Sequence, residues 1–534
     1  MFQKQSVNDL SGSCVRSFPS ENFCFYTGML SPNVPLLGSS RRVFLQSLFA
    51  GAASVSVSAR VFANARGSND AIRIGAIGFN GRGMGNIKGL LDVPGVRVTA
   101  MCDVDSMVLS KGKEAMEKAG QQVEVYSDLR RLLDSKEVDA VMIATPNHWH
   151  CLAAIWAMQA GKDVYVEKPL AHTLWEGKQL VAAVRSTGAI LQTGTQSRSS
   201  PALREAHAWA KAGNLGKLVR AHGTCFKRRP SIGKVSEAQA VPSSVDYNLW
   251  SGPAQMSPVM RKQFHYDWHW MWETGNGDLG NQGVHQADIA RWFMDEHGLP
   301  PAVMSVGGRF GYVDDGQTPN TQLVAFPYEK APLYFEVRGL PSKAGDKTMD
   351  VFRGAGIGVV LQYERGHILI PSYTAAIAFD EKGEVLKRFG RHQLPGEAPV
   401  VEPKVDGASA SKSPTHHSNF IDAVRSRDAA RLNCNGREGE LSSSLCSFAG
   451  ISHRLGSQLA PEAAREQMKS DAYASETWGR MLEHLKLNEA LPERAVLGAT
   501  LKIDRAKEVI VGNAAATVLE RRQDRAPFTV PQLA

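Results

Sequence analysis

The chain has 534 residues, long enough for two or three domains with cores of their own, and its 43% apolar and 21% charged residues are ordinary for a soluble globular protein. The formal net charge is +8, of which residues 1–65 carry +3, and the mild remainder contains no dense Lys/Arg block of the kind that marks a nucleic-acid surface. Nothing beyond residue 65 approaches the run of about 20 apolar residues that spans a bilayer.

Residues 1–65 read as an export leader. Ser39-Ser-Arg-Arg-Val-Phe-Leu45 opens an uncharged, weakly apolar stretch from Val43 to Ala59, followed by Ala63-Asn64-Ala65. Paired arginines, a weak apolar segment and small residues at the end match a twin-arginine signal and predict a periplasmic destination. Met29 is a second candidate start. Cys14 and Cys24 fall in this leader, and the other five cysteines have neither CxxC nor disulfide-framework spacing, so buried free thiols are expected.

Residues 66–195 alternate strands with helices. Ala71 to Gly78 reads as a buried strand, Phe79 to Gly85 as a glycine-rich turn, Asn86 to Leu91 as a helix, and Val96 to Cys102 as a second strand ending at Asp103. This order is that of a dinucleotide-binding unit, in which glycines let the backbone approach a pyrophosphate seated on a helix N-terminus. Gly78, Phe79, Asn80, Gly81, Arg82 and Gly83 are the candidate contacts, with Asn80 where the middle glycine of the fingerprint usually stands. Asp103 would bind ribose hydroxyls and, by repelling a 2′-phosphate, favours NAD over NADP; its alternative role is a helix cap.

The alternation continues with a short helix, Ser127 to Leu133, capped by Ser127. A buried strand follows, Asp139 to Thr145, which leads into Pro146-Asn147-His148-Trp149-His150. The next strand, Val164 to Val166, runs into Glu167-Lys168-Pro169, where proline stops the ladder and leaves the charged pair at the strand's carboxyl end. Alone, that pair reads as an exposed strand end. A helix from Leu174 to Arg185 and a strand from Ala189 to Thr193 complete a parallel sheet with helices on both faces.

Taken together, Ile74–Gly83, Asp139–His150 and Glu167-Lys168-Pro169 resemble, in order and spacing, the Gfo/Idh/MocA family of nicotinamide-dependent enzymes. The resemblance implies a Rossmann domain followed by an α+β domain with a mostly antiparallel open sheet, and activity mostly on sugars and cyclitols. It makes Thr145, Pro146, Asn147, His150, Glu167 and Lys168 further cofactor contacts.

After residue 195 strand-like runs follow one another with little helix between them: Leu218–Phe226, Ala302–Phe310, Thr321–Phe326, Leu333–Arg338, Gly356–Glu364, Ile368–Ile370 and Ala375–Phe379. They predict the antiparallel sheet of a second domain over residues 196–534, whose open face offers a self-association surface. Between the first two lies His265-Tyr-Asp-Trp-His-Trp-Met-Trp272. Trp268, His269 and Trp270 there are candidates for stacking on sugar faces or for core packing. The helix after Asp278 places Asn281, His285, Asp288 and Trp292 on one face. By resemblance Lys168 and His285 act on the substrate hydroxyl, with an Asp four residues before the His; here that position is Asn281, whose amide can still orient the imidazole but lacks the charge to stabilise an imidazolium, and Asp278 or Asp288 stands near enough in sequence to compensate. Asp288 is also a candidate substrate contact. No metal is expected, since His416 and His417 lack ligand spacing and no HExxH motif occurs. The helices of residues 413–455, capped by Ser413 or Thr415, and an extended tail are expected to pack back on the first domain.

Three functions remain open on the sequence. The first is an exported oxidoreductase that holds NAD tightly and acts on a sugar, cyclitol or glycoside hydroxyl. The second is a glycoside hydrolase or lyase that uses bound NAD in a transient oxidation–elimination cycle. The third is a non-catalytic, nucleotide-bound carbohydrate-binding protein.

Overall fold

A computed structural model describes residues 71–393 and 415–534, so the stretch expected to be an export leader and the candidate cap Ser413 lie outside the described residues. In the first domain β1 (Ile72–Ile77), β2 (Val96–Cys102), β3 (Glu124–Tyr126), β4 (Ala140–Ile143), β5 (Asp163–Val166) and β6 (Leu191–Thr193) form a sheet in the order β3-β2-β1-β4-β5-β6. Every pair in it is parallel. The connecting helices are α1 (Arg82–Leu91), α2 (Ser106–Lys118), α3 (Leu129–Asp134), α4 (Asn147–Gln159) and α5 (Leu174–Thr187). Strand order reverses between β1 and β4, which opens a crevice at the strands' carboxyl ends. Strands β4 and β5 are buried at every position, as a sheet covered on both faces requires.

Two local expectations are corrected. Helix α1 begins at Arg82, so Gly83 and Gly85 lie inside it and not in the turn. Helix α3 is capped by Asp128, which accepts from the Arg130 N–H, rather than by Ser127. Helix α2, which apolar periodicity did not reveal, is started by Asp105 accepting from Met107 N–H.

The second domain carries β7 (Leu218–Phe226), β8 (Ala302–Gly308), β9 (Thr321–Phe326), β10 (Leu333–Arg338), β11 (Ile357–Tyr363), β12 (Gly366–Ser372), β13 (Ala375–Phe379), β14 (Val385–Phe389), β15 (Ser457–Leu459) and β16 (Ala495–Leu497). They are ordered β14-β13-β12-β11-β7-β10-β9-β8-β16-β15, with β17 (Leu501–Asp504) and β18 (Val509–Val511) paired beside β8. All these neighbours are antiparallel except β7 and β10. The helices are α6 (Pro201–Lys211), α7 (Tyr247–Ser251), α8 (Val284–Phe293), α9 (His416–Ser426), α10 (Gly436–Arg454), α11 (Pro461–Gln467), α12 (Ala472–Leu487) and α13 (Ala514–Leu519).

One sheet face is covered by α6, α8 and α10, with Leu203, Ile289, Leu445 and Phe448 packed on Val324, Phe335, Val359 and Ile368. On the other, Trp478, Met481 and Leu485 of α12 bury Val306, Leu323 and Tyr334. Part of the face that the sequence offers for self-association is thus occupied by the chain itself. Helix α9 places Phe420, Ile421 and Val424 in the core of the first domain. The tail is not simply extended: it forms β18 and α13, and then seats Phe528 and Val530 beside Trp149.

Between β7 and α8 the chain crosses over the first domain. Val245, Trp250, Val259, Phe264 and Trp268 form a small core against Val104. Asp246 N–H donates to the Val104 carbonyl at 3.0 Å and Ser106 N–H to the Ser244 carbonyl at 2.9 Å. Trp149 Nε1 donates to the Leu249 carbonyl at 3.0 Å. Gly252 is required here, because its φ is +51° and a Cβ would lie 2.2 Å from the Trp149 ring.

A buried ion network joins the same parts from the other side. Arg198, in the 3₁₀ turn after β6, pairs with Asp288 of α8 at 2.9 Å and with Glu438 of α10 at 3.0 Å. Ser442 Oγ donates to Asp288 at 2.7 Å, and Arg291 also pairs with Glu438. Removing one partner from a buried pair leaves an uncompensated charge. Asp288→Ala should therefore lower unfolding stability by about 3–5 kcal/mol, read by denaturant titration.

Candidate active site

The cleft between the two domains has a volume of about 470 Å³ and is lined at one end by the β1 turn, Asp103 and Asp128, and at the other by Lys168, Lys227, Arg229 and Asn281. At the first end β1 stops at Gly78, whose φ is +73° and where a Cβ would lie 2.9 Å from the Thr145 N–H nitrogen. A Cβ at Gly83 would lie 2.3 Å from the Gly78 carbonyl oxygen, so the turn closes tightly onto α1. Gly81, at φ +102°, has open space above it, and the N-terminus of α1 receives no side-chain cap. Thr145 Oγ1 is buried without a hydrogen-bond partner. A tight turn, uncapped N–H groups and an orphaned hydroxyl fit a dinucleotide pyrophosphate.

Asp103 accepts from Phe79 N–H at 3.3 Å and from Asp105 N–H at 3.1 Å. Burial pushes its carboxyl up despite these N–H groups. Asp105 in turn meets His265 Nε2 at 2.9 Å, which fastens the crossing segment beside this end. Two carboxylates, Asp103 and Asp128, therefore line this end of the cleft, while that of Asp105 is taken up by His265 and the Met107 N–H.

At the other end Glu167 is buried at the end of β5. Its Oε1 accepts from Arg82 Nε at 2.9 Å, Asn86 Nδ2 at 3.0 Å and Gln196 Nε2 at 3.3 Å, and Oε2 from Lys168 N–H at 3.3 Å. Gly194 leaves the room: a Cβ there would touch the carboxylate at 2.9 Å. Burial alone would raise the Glu167 pKa, but Arg82, Lys168 and the Asn86 amide outweigh it and hold the carboxyl at about 2. Lys168 Nζ donates to the Asn281 backbone carbonyl at 2.5 Å. Burial pulls the Lys168 ammonium below the usual lysine range, helped by Arg82, Lys227 and Arg229 and opposed by Glu167.

The strand ends are tied together by His150, whose Nδ1 lies 2.7 Å from the Pro169 carbonyl and Nε2 2.8 Å from that of Thr145. Asn147 Nδ2 donates to Asn276 Oδ1 at 2.9 Å, and Asn276 Nδ2 to the His172 carbonyl at 2.9 Å. These bonds anchor the Gly275–Gly277 turn on the first domain.

Residues Leu279–Gly283 form a π turn ahead of α8. The extra residue in such a turn breaks the four-residue spacing expected for a continuous helix. It offers the Asn281 backbone carbonyl to Lys168, while His285 Nδ1 has no hydrogen-bond partner. The expectation that the Asn281 amide orients His285 is thereby corrected. His285 is 7% exposed, packs its ring 4.9 Å from Tyr373 and does not line the cleft. Burial, then the Lys168 charge, holds its pKa down at about 3, so the ring is neutral at physiological pH.

Among the expected cofactor contacts, all but Gly83 line the cleft, as do Lys168, Asn281, Trp268 and His269. Trp268 stacks on His269 with ring centroids 3.7 Å apart. Trp270 does not line it: it is buried beneath the Arg229 guanidinium. Asp288 is fully buried in its pair with Arg198, and Asp278 is held by Arg229 Nε at 2.7 Å, so neither compensates for Asn281 nor touches a substrate. Lys227, Arg229, Tyr266 and Gln282 line the cleft without having been singled out. The charged Lys227-Arg-Arg229 run at the end of β7 was the available signal.

Comparison with known proteins agrees with this architecture. Residues 72–195 match the oxidoreductase family, NAD-binding Rossmann fold, and residues 218–317 its C-terminal alpha/beta domain. A glycosyl hydrolase family 109 protein from Shewanella sp. (strain ANA-3) is 38% identical over 123 residues, 22% of this chain and 27% of that protein. Levoglucosan dehydrogenase from Pseudarthrobacter phenanthrenivorans is 29% identical over 179 residues, 34% of this chain and 39% of the enzyme. The aligned stretches thus span between about a quarter and two fifths of these relatives. Among solved structures, the WlbA dehydrogenase from Bordetella pertussis, in complex with NADH and UDP-GlcNAcA, shares the fold. Its TM-score is 0.51 at 19% identity, over 73% of this chain and 97% of that one.

The low pKa of Glu167 makes a measurable linkage. A carboxyl held below its unfolded value stabilises the fold fully above the unfolded pKa and loses that contribution as pH falls toward about 2. Urea unfolding of the wild type and Glu167→Gln should differ by about 3 kcal/mol near neutrality, and the gap should narrow steadily below about pH 5.

Proposed function

We propose, for a chain that belongs to the Gfo/Idh/MocA oxidoreductase family through its Rossmann and C-terminal domains, that it is an NAD-dependent enzyme acting on a hydroxyl of a sugar, cyclitol or glycoside. The observation that carries this reading is Lys168, fixed between the Glu167 carboxylate and the Asn281 carbonyl at the end of a strand that borders the dinucleotide cradle. NAD, when bound, supplies the hydride acceptor. The Gly78–Gly83 turn and the α1 N-terminus would hold its pyrophosphate, and the carboxylates of Asp103 and Asp128 would disfavour a 2′-phosphate. Lys168 hydrogen-bonds the reacting oxygen and stabilises its developing negative charge. His285 is the base that the family resemblance implies for the hydroxyl proton; its ring is neutral and its Nδ1 free, and it lies behind the residues that line the cleft.

The crossing segment, anchored at Val104, Ser106 and Asp105, supports a cofactor that is retained between turnovers. Retention favours a second reading, in which NAD is oxidant and reductant within one cycle and a glycoside is cleaved without net redox change. The family 109 name of the Shewanella relative supports it. Export by the twin-arginine route, proposed on Arg41 and Arg42, fits either reading, because a protein that folds before export carries a retained cofactor with it.

Lys168→Ala should keep its NAD, measured by mass spectrometry of the purified protein, and lose about 10²–10⁴ in the rate of hydride transfer. A Lys168→Ala enzyme as fast as the wild type would refute the assignment. With the base neutral down to about pH 3, that rate should stay level well below the ordinary imidazole pKa, and it should fall on the alkaline side earlier than an ordinary lysine would dictate. Stoichiometric NADH supports net oxidation; sugar released from a glycoside without NADH selects the redox-neutral cycle. Replacing Arg41 and Arg42 by lysine should leave the folded protein in the cytoplasm, as read by cell fractionation.

A further inference from the structure

The cleft is electrostatically lopsided. Its cofactor end is ringed by Asp103 and Asp128, whereas its far end presents Lys168, Lys227 and Arg229. Arg229 is matched by Asp278, on which its Nε donates at 2.7 Å, and its Nη1 donates to Tyr266 Oη at 2.8 Å. Lys168 and Lys227 instead hydrogen-bond neutral oxygens, the Asn281 carbonyl at 2.5 Å and Gln282 Oε1 at 3.0 Å. Gln282 is itself held by Tyr373 Oη, so Lys227 is positioned and not merely loose in solvent.

Lys168 is taken up by the reacting oxygen. Lys227 is tied to the same π turn, since its partner Gln282 follows the Asn281 that binds Lys168. The cofactor's own phosphates are accommodated elsewhere, at the α1 N-terminus. A half-buried ammonium with only neutral partners bears a desolvation cost, which an anionic ligand group would offset. Burial, followed by the neighbouring Arg229, pulls the Lys227 pKa down and outweighs the opposing attraction of Cys225 and Asp278, neither of which hydrogen-bonds its ammonium.

We propose that the substrate carries an anionic oxygen group, a carboxylate or an acidic ester, that Lys227 binds with Arg229 behind it, so that the enzyme selects acidic over neutral sugars. The inference rests on the reading of this cleft as the sugar site. It makes Lys227 a specificity residue, separate from the Lys168 and His285 pair that handles the hydroxyl.

The test uses the full chain loaded with NAD and calorimetric titration with matched ligands that differ only in charge. Methyl hexopyranosides of several configurations are compared with the corresponding uronosides and with their primary sulfate esters. An acidic member should bind at least about tenfold more tightly than its neutral counterpart, and added salt should erode the difference. Lys227→Gln should remove most of that preference by weakening the acid about tenfold while leaving the neutral ligand within about twofold, and Lys227→Glu should reverse it. Whether uronoside or sulfate ester gains more identifies the anion. If no acid in the panel binds better than its neutral counterpart, or if Lys227→Gln weakens both alike, the proposal is overturned. Binding preference without hydride transfer would uphold this inference and retire the proposed reaction instead, so the two fail separately.

Discussion

A carboxylate taken out of water must be paired, and the pairing of Glu167 organises this molecule. Four N–H donors reach it, from Arg82 and Asn86 on α1, from Gln196 after β6 and from the backbone of Lys168. Those donors come from the dinucleotide turn, the last strand of the first domain and the candidate catalytic lysine. The carboxylate fixes all three relative to one another because an unmet charge there would cost several kcal/mol. Gly194 is small for the same reason: it leaves the volume that the carboxylate occupies. Lys168 is thus held from behind by its neighbour and from in front by the Asn281 carbonyl.

The second domain contributes more than a wall. Its π turn supplies the Asn281 carbonyl, and its crossing segment reaches back to Val104 and Asp105. The two domains therefore meet beside the cleft through contacts of their own, made without any cofactor. The charge gradient along the cleft, acidic near the ribose and basic near Lys168, is likewise a product of both domains. It sets the carboxylates of Asp103 and Asp128 apart from the cations of Lys168, Lys227 and Arg229.

Much of the fold could be read without coordinates. Strands buried on both faces, such as Val164 to Val166, are continuously apolar, and glycines at positions 78, 81 and 83 announce a backbone that must turn sharply. The longer antiparallel strands, β7, β9, β10 and β13, were equally legible from their apolar, β-branched and aromatic runs. Strands β15, β16 and β18 were not, because three residues with mixed exposure carry no period and pair only through tertiary contacts. Helix α2 escaped because its inward face is thin, Gly112 and Met116 with half-buried Val108, Leu109 and Ala115, amid lysines, glutamates and serines.

The same division runs through the site. By itself the sequence determined that a glycine-rich turn joins a buried strand to a helix at Gly78–Gly83 with Asp103 beside it, and that Lys168 follows a buried strand at the crevice. These features are local: backbone geometry, strand termination and burial are written into neighbouring residues. Only the tertiary structure decided that Asn281 acts through its backbone, that Asp278 and Asp288 belong to arginines, and that Lys227 and Arg229 enter the cleft. A π turn displaces the helix register by one residue without altering composition, and an ion pair between Arg198 and Asp288 joins residues far apart in the chain. Which charge meets which is a property of the packed molecule, since burial makes each carboxylate take the cation that the fold brings within reach.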